Sequence, residues 1–437
     1  MRGRAIAAGA GGLLLAAGLA AAGAFALLRP GVRPGGPESA RLLEPGPFAV
    51  GSLPVTLVDA ARATAPNGDF PGAPGRSFSG AVWYPALARR LEALRLDSPP
   101  PAAREGAPFP ALVYSHGFMS WYSEGQYLAE ALASRGTVVL SVSYPLTSRG
   151  SPGGPTGGDL SNQPADVSFL LDSLLGWSRD PGHLLAGRVD PERIALAGLS
   201  LGGMTTTLSA FHPRLRDPRV RAAVSIAGPA ALFNERFFAT ADVPFLMIAG
   251  DIDAVVDYAS HAAPLRERAP RVGLVTLRGA SHAGFADISA RLLRFARNPD
   301  SVGCRALKGR PPPPREAGGL RFRGLGGPED GIEEAPGPPP RRCEEGPLPE
   351  ALRPAHQQML AQLAAQSFLE SVLSRDPATR RANGRFLRET LPAENPEVRV
   401  ELPPFDGREQ RESGGPQPGR RADVRGWRSS GPPRRHM

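Results

Sequence analysis

From about residue 48 the chain alternates two textures. Short, nearly all-apolar runs fall at 78–84 (FSGAVWY), 110–115 (PALVYS), 137–143 (TVVLSVS), 193–197 (RIALA), 220–226 (VRAAVSI), 244–249 (PFLMIA) and 272–277 (VGLVTL). Between them lie stretches with helical spacing of apolar positions, at about 122–135, 163–175, 201–211, 258–268 and 284–296. Strands covered on both faces read as continuous apolar runs, because neither side of the pleat meets water. Strand and helix in alternation predict βα units around a mostly parallel sheet, with helices on both faces.

The texture changes at four places. Residues 29–47 are rich in Pro and Gly and read as a linker. Residues 146–161 (LTSRGSPGGPTGGDLS) read as a glycine-rich loop. Residues 305–350, with PPPP at 311–314 and PPP at 338–340, read as an irregular insertion within a domain spanning 48–400. Helix resumes at about 354–374, where Met359, Leu360, Leu363, Phe368 and Leu369 suit one face. The tail 404–437 is polar, basic and almost free of aliphatics, the composition of a disordered segment.

The first 28 residues add a location. Arginines at positions 2 and 4 precede an uncharged run, 5–28, closed by Arg29-Pro30. As a helix it reaches ~36 Å, enough to span a bilayer, while Ala24-Phe25-Ala26 offers a signal-peptidase site. Cleaved signal and N-terminal membrane anchor both stay open. Either places the rest of the chain outside the cytoplasm: periplasmic, secreted or membrane-anchored. Cys304 and Cys343 fit no metal spacing and flank the Pro-rich stretch, so a disulfide and two free thiols are the alternatives. The net charge of +9 would ordinarily raise an anionic partner. The arginines are dispersed, however, and no basic run is interleaved with aromatics, so nucleic acid is not an expected partner.

The chemistry centres on Gly198-Leu199-Ser200-Leu201-Gly202. With 52 glycines in the chain the pentapeptide alone is weak. Its context strengthens it, since a strand precedes it and a helix follows. A serine on a sharp strand-to-helix turn is exposed at the carboxyl edge of the sheet, above a helix N-terminus that favours developing negative charge. Serine needs a base, and the order in hydrolases with this elbow is Ser, acid, His. His282, just past the last apolar run, meets the order; besides it only His356 and His436 lie far enough downstream to leave room for an acid strand. Asp253, after the strand 244–249, is the expected acid, with Asp251 and Asp257 as competitors. Two backbone N–H groups should form an oxyanion hole: Leu201, following the serine, and Phe118, in the turn His116-Gly117-Phe118. Met119, Trp121 and Tyr122 follow that turn. With Phe118 they either line an acyl pocket or pack under the first helix. His116 precedes the serine and reads as a structural residue of its turn.

Together with VTLVDAAR (55–62), AVWYPA (81–86), 114–136, NQPADVSFLLDSLL (162–175) and TLRGASHAGFADI (276–288), these residues resemble the secreted bacterial α/β-hydrolases related to platelet-activating-factor acetylhydrolase and predicted dienelactone hydrolases. The resemblance runs from about 48 to 300 and resumes near 354–392. It implies the α/β-hydrolase fold, a serine carboxylesterase or lipase-like activity on small-molecule or lipid esters, no cofactor and no metal. It places the nucleophile at Ser200, acid at Asp253, base at His282 and oxyanion donors at Phe118 and Leu201. Leu199 departs from the histidine common beside the nucleophile, and the elbow lacks the cysteine that dienelactone hydrolases proper use. A non-catalytic cell-surface scaffold on the same fold, or acyl transfer to an alcohol by the same triad, are the competing readings.

Overall fold

Nine strands make one sheet in the order β1-β2-β4-β3-β5-β6-β7-β8-β9. They are β1 (Ala49–Asp59), β2 (Arg76–Ala86), β3 (Phe109–Ser115), β4 (Val138–Ser143), β5 (Val189–Leu199), β6 (Val220–Ile226), β7 (Phe245–Gly250), β8 (Gly273–Leu277) and β9 (Val398–Glu401). Strands β3 to β8 pair in parallel, while β1 with β2, β2 with β4 and β8 with β9 are antiparallel. This is the α/β-hydrolase fold. The computed structural model describes residues 32–87, 99–308, 324–333, 343 and 347–403. The expected signal or anchor at 5–28, most of the Pro-rich insertion and the tail 404–437 lie outside the described residues. Among the described residues no helix is long and apolar enough to cross a membrane.

Two cores explain why the strand runs are so uniformly apolar. Ala111 and Val113 of β3, Leu140 of β4 and Leu196 of β5 point into one core with Leu170, Leu174 and Leu208. Their neighbours Leu112, Val139, Ala195 and Ala197 point into the other, with Leu128, Leu132, Leu360 and Leu363. Successive side chains alternate faces, so a strand roofed on both sides must be apolar at every position. Burying each leucine contributes about 1.5–3 kcal/mol. The helices that do the covering include α1 (Pro37–Leu43), α2 (Gln126–Ser134), α3 (Gln163–Arg179), α4 (Leu201–Phe211) and α6 (Pro354–Leu373), while α5 (Asp300–Leu307) contributes to neither core.

Several local readings differ from the structure. Residues 29–47, read as a linker, carry α1, whose Leu42 is buried. The Leu42 carbonyl accepts from Arg135 (2.8 Å) and Gln366 (3.3 Å). Pro37 at the first turn and one apolar side chain suffice for a helix once α2 and α6 supply a surface. The expected helix over 258–268 is two short turns, Tyr258–His261 and Leu265–Arg268, split around Pro264. The one over 284–296 divides into Ala283–Phe285 and Asp287–Leu292. Strand β1 has the half-exposed alternation of an edge, and carries Pro54, which an edge tolerates.

Candidate active site

The elbow follows from two close approaches. A Cβ on Gly202 would run into the Ser115 carbonyl at the end of β3, and one on Gly198 into the Gly202 carbonyl. Only glycine lets strand β5 turn into α4 here. Ser200 between them is held at φ 57°, ψ −118°, where a non-glycine residue is strained. Its N–H donates to the Ile226 carbonyl at 2.8 Å, which pins the turn to β6. The side chain is left half-exposed above α4.

Asp253 and His282 lie after β7 and β8, neighbours in the sheet. One carboxylate oxygen of Asp253 accepts the Val255 and Val256 N–H groups at 2.8 and 2.7 Å. That pair fixes the side chain so that its other oxygen meets His282 Nδ1 at 2.7 Å. A carboxylate only accepts, so Nδ1 carries the proton. The imidazole is 12% exposed and Asp253 2%. Burial disfavours the imidazolium, but Asp253, Asp300 and Glu124 outweigh it and raise the His282 pKa. Among the described residues no hydrogen bond occupies Nε2, and none joins Ser200 Oγ to it.

The competing groups are committed elsewhere. Asp251 accepts the Gly279 N–H at 2.7 Å, and Asp257 caps a helical turn through Ser260. The Tyr144 N–H donates to His116 Nε2 (3.0 Å), and Nδ1 donates to the Gly117 carbonyl (2.7 Å). Complete burial pushes that imidazole down to about 4, so His116 is a neutral fixture of its turn. His356 stands 3.5 Å from Glu397, and His436 lies outside the described residues.

The Phe118 and Leu201 N–H groups have no protein acceptor among the described residues. For Leu201 this follows from its place at the head of α4. Phe118 sits between a clamped Gly117 and a Met119 at φ 64° whose N–H donates to Thr147. Tyr122 lies 6.4 Å from Trp83, centroid to centroid, and packs on the core beneath α2. Phe118 packs on the opposite core, and Trp121 donates to Ser123. Among the described residues no cluster of His, Cys, Asp and Glu suited to a metal ion occurs.

Little in the spacing along the chain points to the groups that hold the two loops together. Asp300, at the head of α5 and fully buried, accepts three backbone N–H groups. These are Ala254 (3.0 Å) beside Asp253, and His282 (2.9 Å) and Ala283 (2.6 Å). Helix α5 also carries Cys304, which is disulfide-bonded to Cys343, and the Cys343 N–H returns to the Ala254 carbonyl at 2.6 Å. From α6, Gln357 exchanges two hydrogen bonds with the Ser281 backbone, and Gln358 donates to Gly284 and Ala286. Two glutamines on a buried helix face were the one available signal. Asp300→Ala strands three donors, and we expect a loss on the order of 2 kcal/mol in denaturant unfolding, together with lower activity.

Residues 100–296 match the PET hydrolase-like family model, described as PETase. That stretch runs from just before β3 to just past His282. Cutinase 2 of Thermobifida cellulosilytica is 26% identical over 183 residues, 41% of this chain and 62% of the relative. A cutinase of Thermobifida fusca is also 26% identical over 183 residues, covering 51% of its length. The chain thus spans between half and two thirds of the curated relatives it matches. A ferulic acid esterase from Streptomyces cinnamoneus aligns at TM-score 0.49 and 19% identity, covering 82% of this chain and 98% of that one. The resemblance drawn from the sequence was finer than this. The matches support the same broad superfamily, through cutinase and PET hydrolase-like proteins, without the acetylhydrolase label.

Proposed function

We propose that the protein is a serine hydrolase of carboxylic esters. Ser200 attacks the ester carbonyl while His282 Nε2 takes its proton. Asp253 keeps Nδ1–H in place and stabilises the imidazolium. The Phe118 and Leu201 N–H groups receive the oxyanion. His282 then returns the proton to the departing alcohol, and water, activated the same way, releases the acid from the acyl-enzyme. The observation that carries this reading is the Asp253–His282 contact at 2.7 Å, in a chain whose Ser200 is held at a strained elbow. The open Nε2 is compatible with it, since catalytic hydrogen bonds in free enzymes are often long and close on substrate. The relatives named cutinases and the PET hydrolase-like match point to esters as the substrate class. Phe118, Met119 and Trp121, half-exposed around the turn, supply an apolar flank for the acyl group. The Cys304–Cys343 disulfide fits an oxidising compartment outside the cytoplasm.

The test is a p-nitrophenyl ester series of increasing acyl length on the full chain, with fluorophosphonate labelling mapped by mass spectrometry. We expect turnover of the short esters and a label on Ser200. A folded protein that neither hydrolyses any member nor takes the label overturns the reading and favours a non-catalytic scaffold.

A further inference from the structure

One carboxylate beside the site has no part in the steps just described. Glu124 lies between the Phe118 turn and α2 and is buried. Its Oε2 accepts the Gly117 N–H at 2.8 Å. Its Oε1 lies 3.1 Å from where a Cβ on Gly117 would stand, and Ser200 Cβ lies 3.3 Å from that same point. The carboxylate and the serine therefore flank one glycine. The Glu124 main-chain carbonyl accepts the Asp287 N–H at 2.8 Å, which ties this position to the segment following His282. Its side chain is also within electrostatic reach of the His282 imidazole.

The groups that face it come from every neighbouring element. Tyr114 from β3 and Ser120 from the turn hydrogen-bond the carboxyl group. Tyr127 from α2 and Asp287, which opens the helical turn Asp287–Leu292 after β8, interact electrostatically with the same group of side chains. Behind His282 stand Asp253 and Asp300. Of these groups only His282 can become positive. Burial pushes Glu124 up to about 7, so its charge changes within the working pH range of an ester hydrolase.

We propose that Glu124 is a positioning residue for the reaction, holding the Gly117–Phe118 turn that presents one oxyanion donor and setting by its charge the basicity of His282. The inference rests on the proposed role of His282 as base. An ionised Glu124 favours the imidazolium and so raises the pH at which the base becomes free. A protonated Glu124 relaxes that hold. The two groups titrate as a coupled pair, and Glu124 neither touches the ester nor passes a proton to it.

The experiment compares pH profiles of kcat/KM for the full chain, Glu124→Gln and Glu124→Ala, with thermal melts of each. Gln keeps an acceptor for the Gly117 N–H and removes the charge. Its acid limb is expected to shift to lower pH by roughly one unit, with kcat at the plateau changed only a few-fold. Ala also removes the acceptor, and should show the same shift with kcat reduced on the order of ten-fold and KM little altered. A Gln variant whose acid limb coincides with that of the unaltered protein overturns the proposal, as does an Ala variant with full kcat. If neither variant folds, the unaltered protein decides. Its acid limb should be broader than a single ionisation, and a limb fitted by one proton overturns the proposal. Failure of the underlying reading looks different, because hydrolysis would then survive Ser200→Ala.

Discussion

Ser200→Ala should reduce kcat on a p-nitrophenyl ester by a factor on the order of 10⁵ or more, the scale seen when a serine nucleophile is removed from a triad. The proposed Phe118 and Leu201 donors would remain, so a small rate above the uncatalysed background should survive. Stability should hardly change, because alanine occupies the same backbone position and Ser200 Oγ makes no hydrogen bond among the described residues. Ser200→Gly provides the informative contrast. The elbow sits at φ 57°, where strain of about 1–3 kcal/mol is relieved by glycine. That variant should be equally inactive and at least as stable as the parent in a thermal melt. Near-parental hydrolysis by either variant would remove Ser200 from the chemistry. A glycine variant that melts well below the parent would show that the elbow is not strained.

The largest effect on stability is expected far from the reacting atoms. Arg76 opens β2 and is 1% exposed. Its guanidinium forks onto two buried carboxylates, Asp159 (2.8 and 3.0 Å) and Asp166 (2.7 and 2.8 Å). Arg62 adds a contact to Asp166 at 2.8 Å and another to Asp59 at 2.7 Å. Burial raises the Asp166 pKa against the opposing pull of Arg76 and Arg62. Arg76→Ala leaves two carboxylates in the interior with only a part-exposed arginine nearby. We expect a loss of about 3–5 kcal/mol in denaturant unfolding. Arg76→Lys should rescue little, because one ammonium cannot fork to both acids. Replacing Arg76, Asp159 and Asp166 together by apolar residues of similar volume should restore most of the loss. A single Arg76→Ala variant within 1 kcal/mol of the parent would show that water already reaches these carboxylates.

This network also connects fold to site. Gln163, at the head of α3, donates to Thr147 at 2.8 Å and accepts from Thr205 of α4. The Thr147 carbonyl in turn accepts the Met119 N–H next to the proposed oxyanion donor. Loosening the start of α3 should therefore reach the Phe118 turn through a short chain of hydrogen bonds.

Some features of the site are legible residue by residue. The helix after the serine runs over 201–211 in both sequence and structure, because Gly202 and Gly203 leave a single close-packed arrangement against β3 and β6. The order Ser200, Asp253, His282 follows from the succession of strands β5, β7 and β8. Asp253 and His282 come together because β7 and β8 are neighbours in the sheet. Edge elements were harder to read. Strand β1 mixes buried and exposed positions and contains Gly51 and Pro54, and β9 has only four residues. Neither has a local period strong enough to stand out from a loop.

The doubly covered parallel sheet and the turn that lifts Ser200 are written in the order of residues along the chain. Both arise from short-range rules: uninterrupted apolar runs that need cover on two faces, and glycines where backbones touch. Folding alone brings Asp300, Gln357 and the Cys343 backbone to brace the Asp253 and His282 loops, and sets Glu124 within electrostatic reach of the same imidazole. The bracing hydrogen bonds join residues as far apart as Ala254 and Cys343. A buried polar side chain is chosen by whatever unpaired N–H or charge the fold brings to it, and no spacing along the chain records that choice.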